Sequence, residues 1–313
     1  MFSCTAEYRE ALLLRGQLFV LLGQYQAAER DYTELSKLLL AASSASSSVG
    51  FQMANHLESK HAILRQAIAD KQQFDLWSSS GQSLLAVQVM TAVLQISPES
   101  IAFRVERATQ ALQIGAYEIV RADTAHILQT NRFHTMAIYL LAVAMYKILG
   151  MLDASLQNLN ICLSIDPTFS PCLLALEHEQ QVANKLNNAA LYQLASQYVQ
   201  AADLYGEVLV LESTGPIASR IHRVRCSMYR LAELIPQTLQ ACTDAITFQL
   251  CDSTRSDEIA AYVDLHLARA WAWLSSGDYS AAQRECFSAR VLDPFDQTRG
   301  TIASMESAIK QAQ

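Results

Sequence analysis

Glycine and proline are scarce in this chain, at 10 and 6 among 313 residues. An all-β protein needs turn residues every few positions, so the shortage disfavours one and favours long helices joined by short turns. Charge is thin as well: 17% of the residues are charged against 51% hydrophobic, and the net charge is −7. No lysine- and arginine-rich cluster of the kind a nucleic-acid binder presents stands out, which argues against that class of partner. The longest apolar run, Met136 to Leu152, is broken by Lys147 and is too short to span a bilayer, so no membrane insertion is expected. The opening residues, MFSCTAEYRE, show neither a basic n-region nor an apolar h-region, and no signal peptide is visible. The expectation is a cytosolic chain, or a piece of a longer one whose targeting segment lies upstream.

Signatures of catalysis are missing too. There is no Cys-x-x-Cys pair, no P-loop, no Gly-x-Gly-x-x-Gly and no Gly-x-Ser-x-Gly. His178-Glu179 opens like a zinc-protease helix, but Val182 stands where the second histidine must be. The His–Glu step therefore reads as a solvated pair on a helix surface. No catalytic, cofactor-binding or metal residue is assigned, and no enzyme is expected.

What the sequence does contain is a repeat. A chain of this length outgrows one compact core, so it divides into domains or stacks repeated units that each pack on their neighbours. The word Gly23-Gln24-Tyr25, Ala28, Tyr32 returns as Gly277-Asp278-Tyr279, Ala282, and continues through Cys286 and Ala289 to Pro294. This is the pattern of the tetratricopeptide repeat, of ~34 residues in two helices. Gly16 and Ala270 fall at its small position on the first helix, and Ala28 and Ala282 at its small position on the second. The two helices cross closely there, and a small side chain lets the backbones approach.

More degenerate units keep the frame, with Val120 and Ser155 at the small position of the second helix in two of them. Pro236 is expected to open the second helix of the sixth unit. The seven repeats lie near 9–42, 67–100, 101–134, 136–169, 182–215, 217–250 and 263–296. Phe295 to Gln313, with Ile302, Met305 and Ile309 at helical spacing, reads as the terminal cap. Trp271 and Trp273 take packing positions. The fold class is thus all-α, a tetratricopeptide-repeat superhelical solenoid of about seven repeats plus a C-terminal capping helix.

Two irregularities divide the array. Ala41 to Gly50, AASSASSSVG, reads as a flexible insert, followed by a helix from about Phe51 that merges into the next repeat. Ser170 to Leu194 carries no turn signal and reads as one long helix joining two subdomains. The expected organisation is 1–50 for the first repeat and insert, 51–180 for a middle subdomain, and 181–313 for a C-terminal subdomain with its cap. Inward positions such as Leu13, Gln17, Ile68, Val105 and Leu267 carry no set of Lys, Asn and Arg that would clamp a chaperone's C-terminal carboxylates.

Within that frame, CLSIDPTFSPCLLALEHEQQVANKL, QYVQAADLYGEVLVLE and the hairpin of Arg220 to Leu250 resemble one family. It is the endoplasmic-reticulum DnaJ-type co-chaperone family of the inhibitor of the RNA-dependent protein kinase, with nine repeats in three subdomains followed by a J domain. The resemblance covers the chain from family repeat three to repeat nine. It implies a solenoid that holds unfolded or misfolded polypeptide for Hsp70 in the endoplasmic-reticulum lumen, within the unfolded-protein response. It also implies inhibition of kinases of translation initiation factor 2. The same resemblance implies disulfides Cys162–Cys172 and Cys226–Cys242, leaving Cys4, Cys251 and Cys286 free; the other reading of these residues is four small buried side chains. Two family features are absent: the first two repeats, which carry most of the family's client patch, and any His-Pro-Asp tripeptide. Client contacts are therefore expected at Leu13, Gln17 and Val20, which border that patch, and Hsp70 only through a J domain that this chain lacks. The competing expectation is a cytosolic scaffold that assembles a fixed complex and keeps its thiols reduced.

Overall fold

The structure, a computed structural model, describes residues 2–42, 48–248, 256–293 and 301–312. Among the described residues there are fifteen α-helices and no strand. They are α1 (Phe2–Leu21), α2 (Tyr25–Ala42), α3 (Ser48–Ser79), α4 (Ser83–Ile96), α5 (Ile101–Gln113), α6 (Tyr117–Thr130), α7 (Thr135–Lys147) and α8 (Leu152–Ile165). There follow α9 (Ser170–Leu194), α10 (Tyr198–Leu211), α11 (Gly215–Leu231), α12 (Ile235–Phe248), α13 (Ser256–Ser275), α14 (Tyr279–Leu292) and α15 (Thr301–Ala312). Consecutive helices pair into seven helix–turn–helix repeats with α15 after the last: an all-α tetratricopeptide-repeat solenoid.

The turn inside each repeat is built one way. A residue in the left-handed region ends the first helix: Gly23, Gly81, Gly115, Gly150 and Gly277, with φ from 67° to 84°. At Gly150 the glycine's own amide bonds the Tyr146 carbonyl at 3.0 Å. In the other turns the next amide reaches five residues back, as in Gln24 N–H to the Phe19 carbonyl at 2.7 Å and Asp278 N–H to the Trp273 carbonyl at 3.0 Å. That bond satisfies a carbonyl the helix would otherwise leave open, and glycine enters the conformation without a Cβ penalty. In repeats five and six, Ser196 (φ 58°) and Glu233 (φ 56°) hold the same place. The second helix of the last repeat is then capped by Asp278, whose carboxylate accepts the Ala281 amide at 2.8 Å.

The close crossing that the sequence implied is present at Gly16, where a Cβ would stand 2.3 Å from the Tyr32 ring. Ala28, Ala86, Ala201 and Ala282 are fully buried at the matching position of the second helix. A charge pattern joins the two helices of three repeats. Arg15 grips Asp31 through two bonds of 2.7 Å, Arg107 grips Asp123 at 2.8 and 2.7 Å, and Arg269 meets Glu285 at 2.9 Å. The spacing is 16 residues each time. Asp31 and Asp123 are buried, so the arginines supply the partners those charges require.

Two compact units form, Met1–Met145 with Gln157–Leu173, and Tyr146–Leu156 with Leu174–Gln313. The core of the first is centred on Leu12, Tyr32, Leu35, Leu64, Phe74 and Met90. There the Tyr25 hydroxyl lies 2.9 Å from the Ser97 hydroxyl, which donates to the Val20 carbonyl at 2.5 Å. The second unit has one core around Val182, Tyr205, Ile221 and Cys242, and another around Val263, Ala282 and Cys286. Ile302 and Ile309 of α15 are buried in the latter. A fully buried isoleucine contributes about 1.5–3 kcal/mol, enough to anchor a terminal helix.

Three details differ from the sequence expectations or lie beyond the described residues. The insert at Ala41–Gly50 is shorter than expected, since α2 runs to Ala42 and α3 starts at Ser48; residues 43–47 lie outside the described residues. The helix expected from Pro236 starts one residue earlier, at Ile235. Pro294 and the first part of the expected cap, Phe295 to Gly300, lie outside the described residues.

Candidate functional site

The first unit carries a groove of about 490 Å³. Leu21 of α1, Ile63 of α3 and Ile96 of α4 give it apolar walls, and Gln17, Gln66 and Gln95 line it with amides. Gln66 spends its amide N–H on Asp70 at 2.7 Å, which leaves its oxygen for another donor. Gln17 and Gln95 have no hydrogen bond among the described residues. Tyr32 also lines the groove; burial pushes its phenol up to about 12, so it stays a neutral donor. Apolar walls with uncommitted amides suit an extended polypeptide. The walls take side chains, and the amides bond to main-chain groups whatever the sequence.

Of the three client contacts expected from the sequence, Gln17 lines this groove half-buried. Val20 lines it too, but is only 8% exposed and belongs to the core. Leu13 is half-buried and packs against the same core. The sequence reading passed over Leu14, Leu18 and Leu21, which stand 60%, 57% and 39% exposed on one stripe of α1 beside Gln17. The signal was present in ALLLRGQLFVLL, which holds more leucines than one buried helix face can absorb.

The cysteines expected to pair are brought together two by two. Cys162 and Cys172 form a disulfide within the first unit, with Cα atoms 6.6 Å apart. Cys226 and Cys242 form one between α11 and α12, with Cα atoms 4.7 Å apart. Cys286 is buried, and burial above all pushes its thiol up to about 11, which makes it unreactive. The Cys4 side chain and Cys251 lie outside the described residues.

The His178-Glu179 step is not the solvated surface pair the sequence suggested. Glu212, just past the end of α10, accepts from the Tyr146 hydroxyl at 2.7 Å and from Lys147 at 2.9 and 3.0 Å. His178 Nε2 lies 2.5 Å from the same carboxylate. Burial raises the Glu212 carboxyl, but these hydrogen bonds, His178's foremost, outweigh it and hold the carboxyl below its ordinary value. Burial, then the bond to Glu212, pushes the Tyr146 phenol well above its ordinary range. Beside this cluster Glu179 is 2% exposed with one oxygen unpaired, and burial pushes it up to about 7. The cluster ties helices of the second unit together. The failure is instructive: helical spacing placed the two residues on adjacent faces but could not show that Glu212 waited opposite.

No protein-family model matches the chain, and no curated protein matches its sequence. Solved structures do match it. The crystal structure of the P58(IPK) TPR domain superimposes with a TM-score of 0.70 at 19% identity, over 97% of this chain and 80% of that one. A tetratricopeptide repeat protein from Parabacteroides merdae matches over 97% of this chain and 99% of its own, at 13% identity and a TM-score of 0.31. The TPR2AB domain of yeast Sti1, in complex with pHSP90, matches over 79% of this chain and 98% of its own, at 16% identity and a TM-score of 0.33. The last two TM-scores are too low to carry an argument. The first shows the fold, a tetratricopeptide-repeat solenoid.

Proposed function

We propose that this chain is the client-holding solenoid of an endoplasmic-reticulum DnaJ-type co-chaperone, capturing unfolded or misfolded polypeptide in the groove of its first two repeats. The observation that carries the reading is the pairing of exposed apolar side chains with amides in one groove: Leu21 and Ile63 beside Gln17 and Gln95, with the Gln66 oxygen also available and Leu14 and Leu18 exposed further along α1. The sequence resemblance supports it, as does the fold shared with the P58(IPK) TPR domain. In this reading the captured chain passes to Hsp70 through a J domain on another segment or protein, within the unfolded-protein response. Kinases of translation initiation factor 2 are a second class of ligand for the same solenoid.

The test is suppression of aggregation of a chemically denatured client, comparing the natural chain with Leu21→Asp/Ile63→Asp. Both side chains are about two-fifths exposed, so the variant folds, while a charge against an apolar client is costly. The variant should lose most of the suppression with an unchanged helical circular dichroism spectrum. Equal suppression by both proteins would overturn the reading.

A further inference from the structure

The second unit carries a groove of about 670 Å³, lined from α9, α11, α13 and α15. Its chemistry differs from that of the first. Arg223 and Arg230 of α11 face it, together with Trp271 of α13 and Met305 of α15. Trp271 is half-buried there, as is Trp273, which packs against the core. Neither Arg223 nor Arg230 has a hydrogen-bond or ion-pair partner among the described residues. The groove's acidic lining residue, Asp264, already has a partner.

Arg223 stands outside the paired pattern of the other repeats. The paired arginines lie eight residues before the left-handed turn residue, Arg15 before Gly23, Arg107 before Gly115 and Arg269 before Gly277. Eight before Glu233 stands Arg225, which donates to the Ala202 carbonyl at 3.2 Å. Arg223, two residues earlier, instead turns its guanidinium to the groove beside Arg230, Trp271 and Met305.

We propose that this groove docks an acidic, extended segment of a partner protein, with two carboxylates on Arg223 and Arg230 and an apolar side chain against Trp271 and Met305. The arginines are seven residues apart, or about 10 Å along a helix at 1.5 Å per residue. A polyproline-II segment brings residues i and i+3 onto one side about 9 Å apart, so the ligand carries acids three apart with an apolar residue between them. This site is independent of the client groove. It is not a clamp for a chain's C-terminal carboxylate, since both cations lie on one helix and bind side-chain carboxylates.

The experiment is a fluorescence-anisotropy titration of the full chain with a fluorescein-labelled Gly-Glu-Pro-Leu-Glu-Pro-Gly peptide, its Gln-for-Glu version and labelled oligodeoxythymidine. Arg223→Gln and Arg230→Gln should each weaken the Glu peptide about tenfold, roughly the loss of one charge-assisted contact. Arg132→Gln, an exposed arginine of the other unit, should leave it unchanged. Binding should also fall steeply with added salt. The proposal is overturned if the Gln peptide binds as tightly, if the two groove variants bind like the natural chain, or if oligodeoxythymidine binds as well through the same arginines.

Discussion

Replacing Glu179 with Gln should stabilise the protein at alkaline pH and change little in acid. Glu179 is buried on α9, with Oε2 unpaired among the described residues. Its carboxyl rises from 4.5 to about 7, chiefly through burial. Ser155 (itself without a hydrogen bond of good geometry), His178 and Lys147 pull it down by less, and Glu212 adds to the rise. Because the folded value is the higher, the folded state holds a proton that the unfolded chain has released. That contribution is complete below pH 4.5 and is lost as the pH climbs to about 7. A difference of this size is worth about 3 kcal/mol at ~1.4 kcal/mol per unit. Glutamine fills the same space without titrating. Glu212, held below its ordinary value, loses its own contribution only in stronger acid, and His222 titrates alike in both proteins, so neither disturbs the comparison. Urea unfolding followed by circular dichroism at pH 5 and pH 8 should show the advantage of Glu179→Gln growing by about 2–3 kcal/mol between them. A difference that stays flat with pH, or grows toward acid, would refute the reasoning.

Other positions yield comparably direct tests. Glu233→Gly should raise stability by up to about 1 kcal/mol, since a left-handed φ costs a residue with a Cβ what glycine avoids; a lower melting temperature would show that the Glu233 side chain contributes more than its backbone costs. Non-reducing peptide mapping of protein made in an oxidising compartment should recover Cys162–Cys172 and Cys226–Cys242, each worth about 3 kcal/mol in the chain-entropy picture, whereas free alkylation of all four thiols would favour the cytosolic scaffold. Ala282→Leu should overpack the last hairpin and cost about 1–3 kcal/mol in thermal unfolding, and an unchanged midpoint would mean that the crossing is looser than its full burial implies.

Much of this architecture was legible because its punctuation is chemical. Gly23, Gly81, Gly115, Gly150 and Gly277 mark five turns, and buried alanines mark the crossings. The turns at Ser196 and Glu233 carried no such mark, because the five-residue back-bond holds them left-handed with ordinary side chains. The ion pairs spaced by 16 were missed for a different reason. Helical pairing is sought at three or four residues, whereas Arg15–Asp31 and its counterparts join two helices. Individual faces were the least legible. Val20 and Leu21 are neighbours in sequence, yet one belongs mostly to the core and the other is open to solvent. The uncommitted arginine at position 223 could be noticed only in three dimensions, since Arg225, two residues on, donates to the Ala202 carbonyl while Arg223 has no partner among the described residues.

The central claim, that extended polypeptide is captured in the groove of the first two repeats, is tested most directly by site-specific photo-crosslinking. A benzophenone side chain at position 21 or 63 lies in the groove, and one at Val210, on the open face of α10, lies in the other unit. A denatured, radiolabelled client should crosslink at 21 and 63, compete with excess unlabelled unfolded chain, and leave position 210 unlabelled. Equal labelling at 210, or none at 21 and 63 while aggregation is still suppressed, would contradict the account.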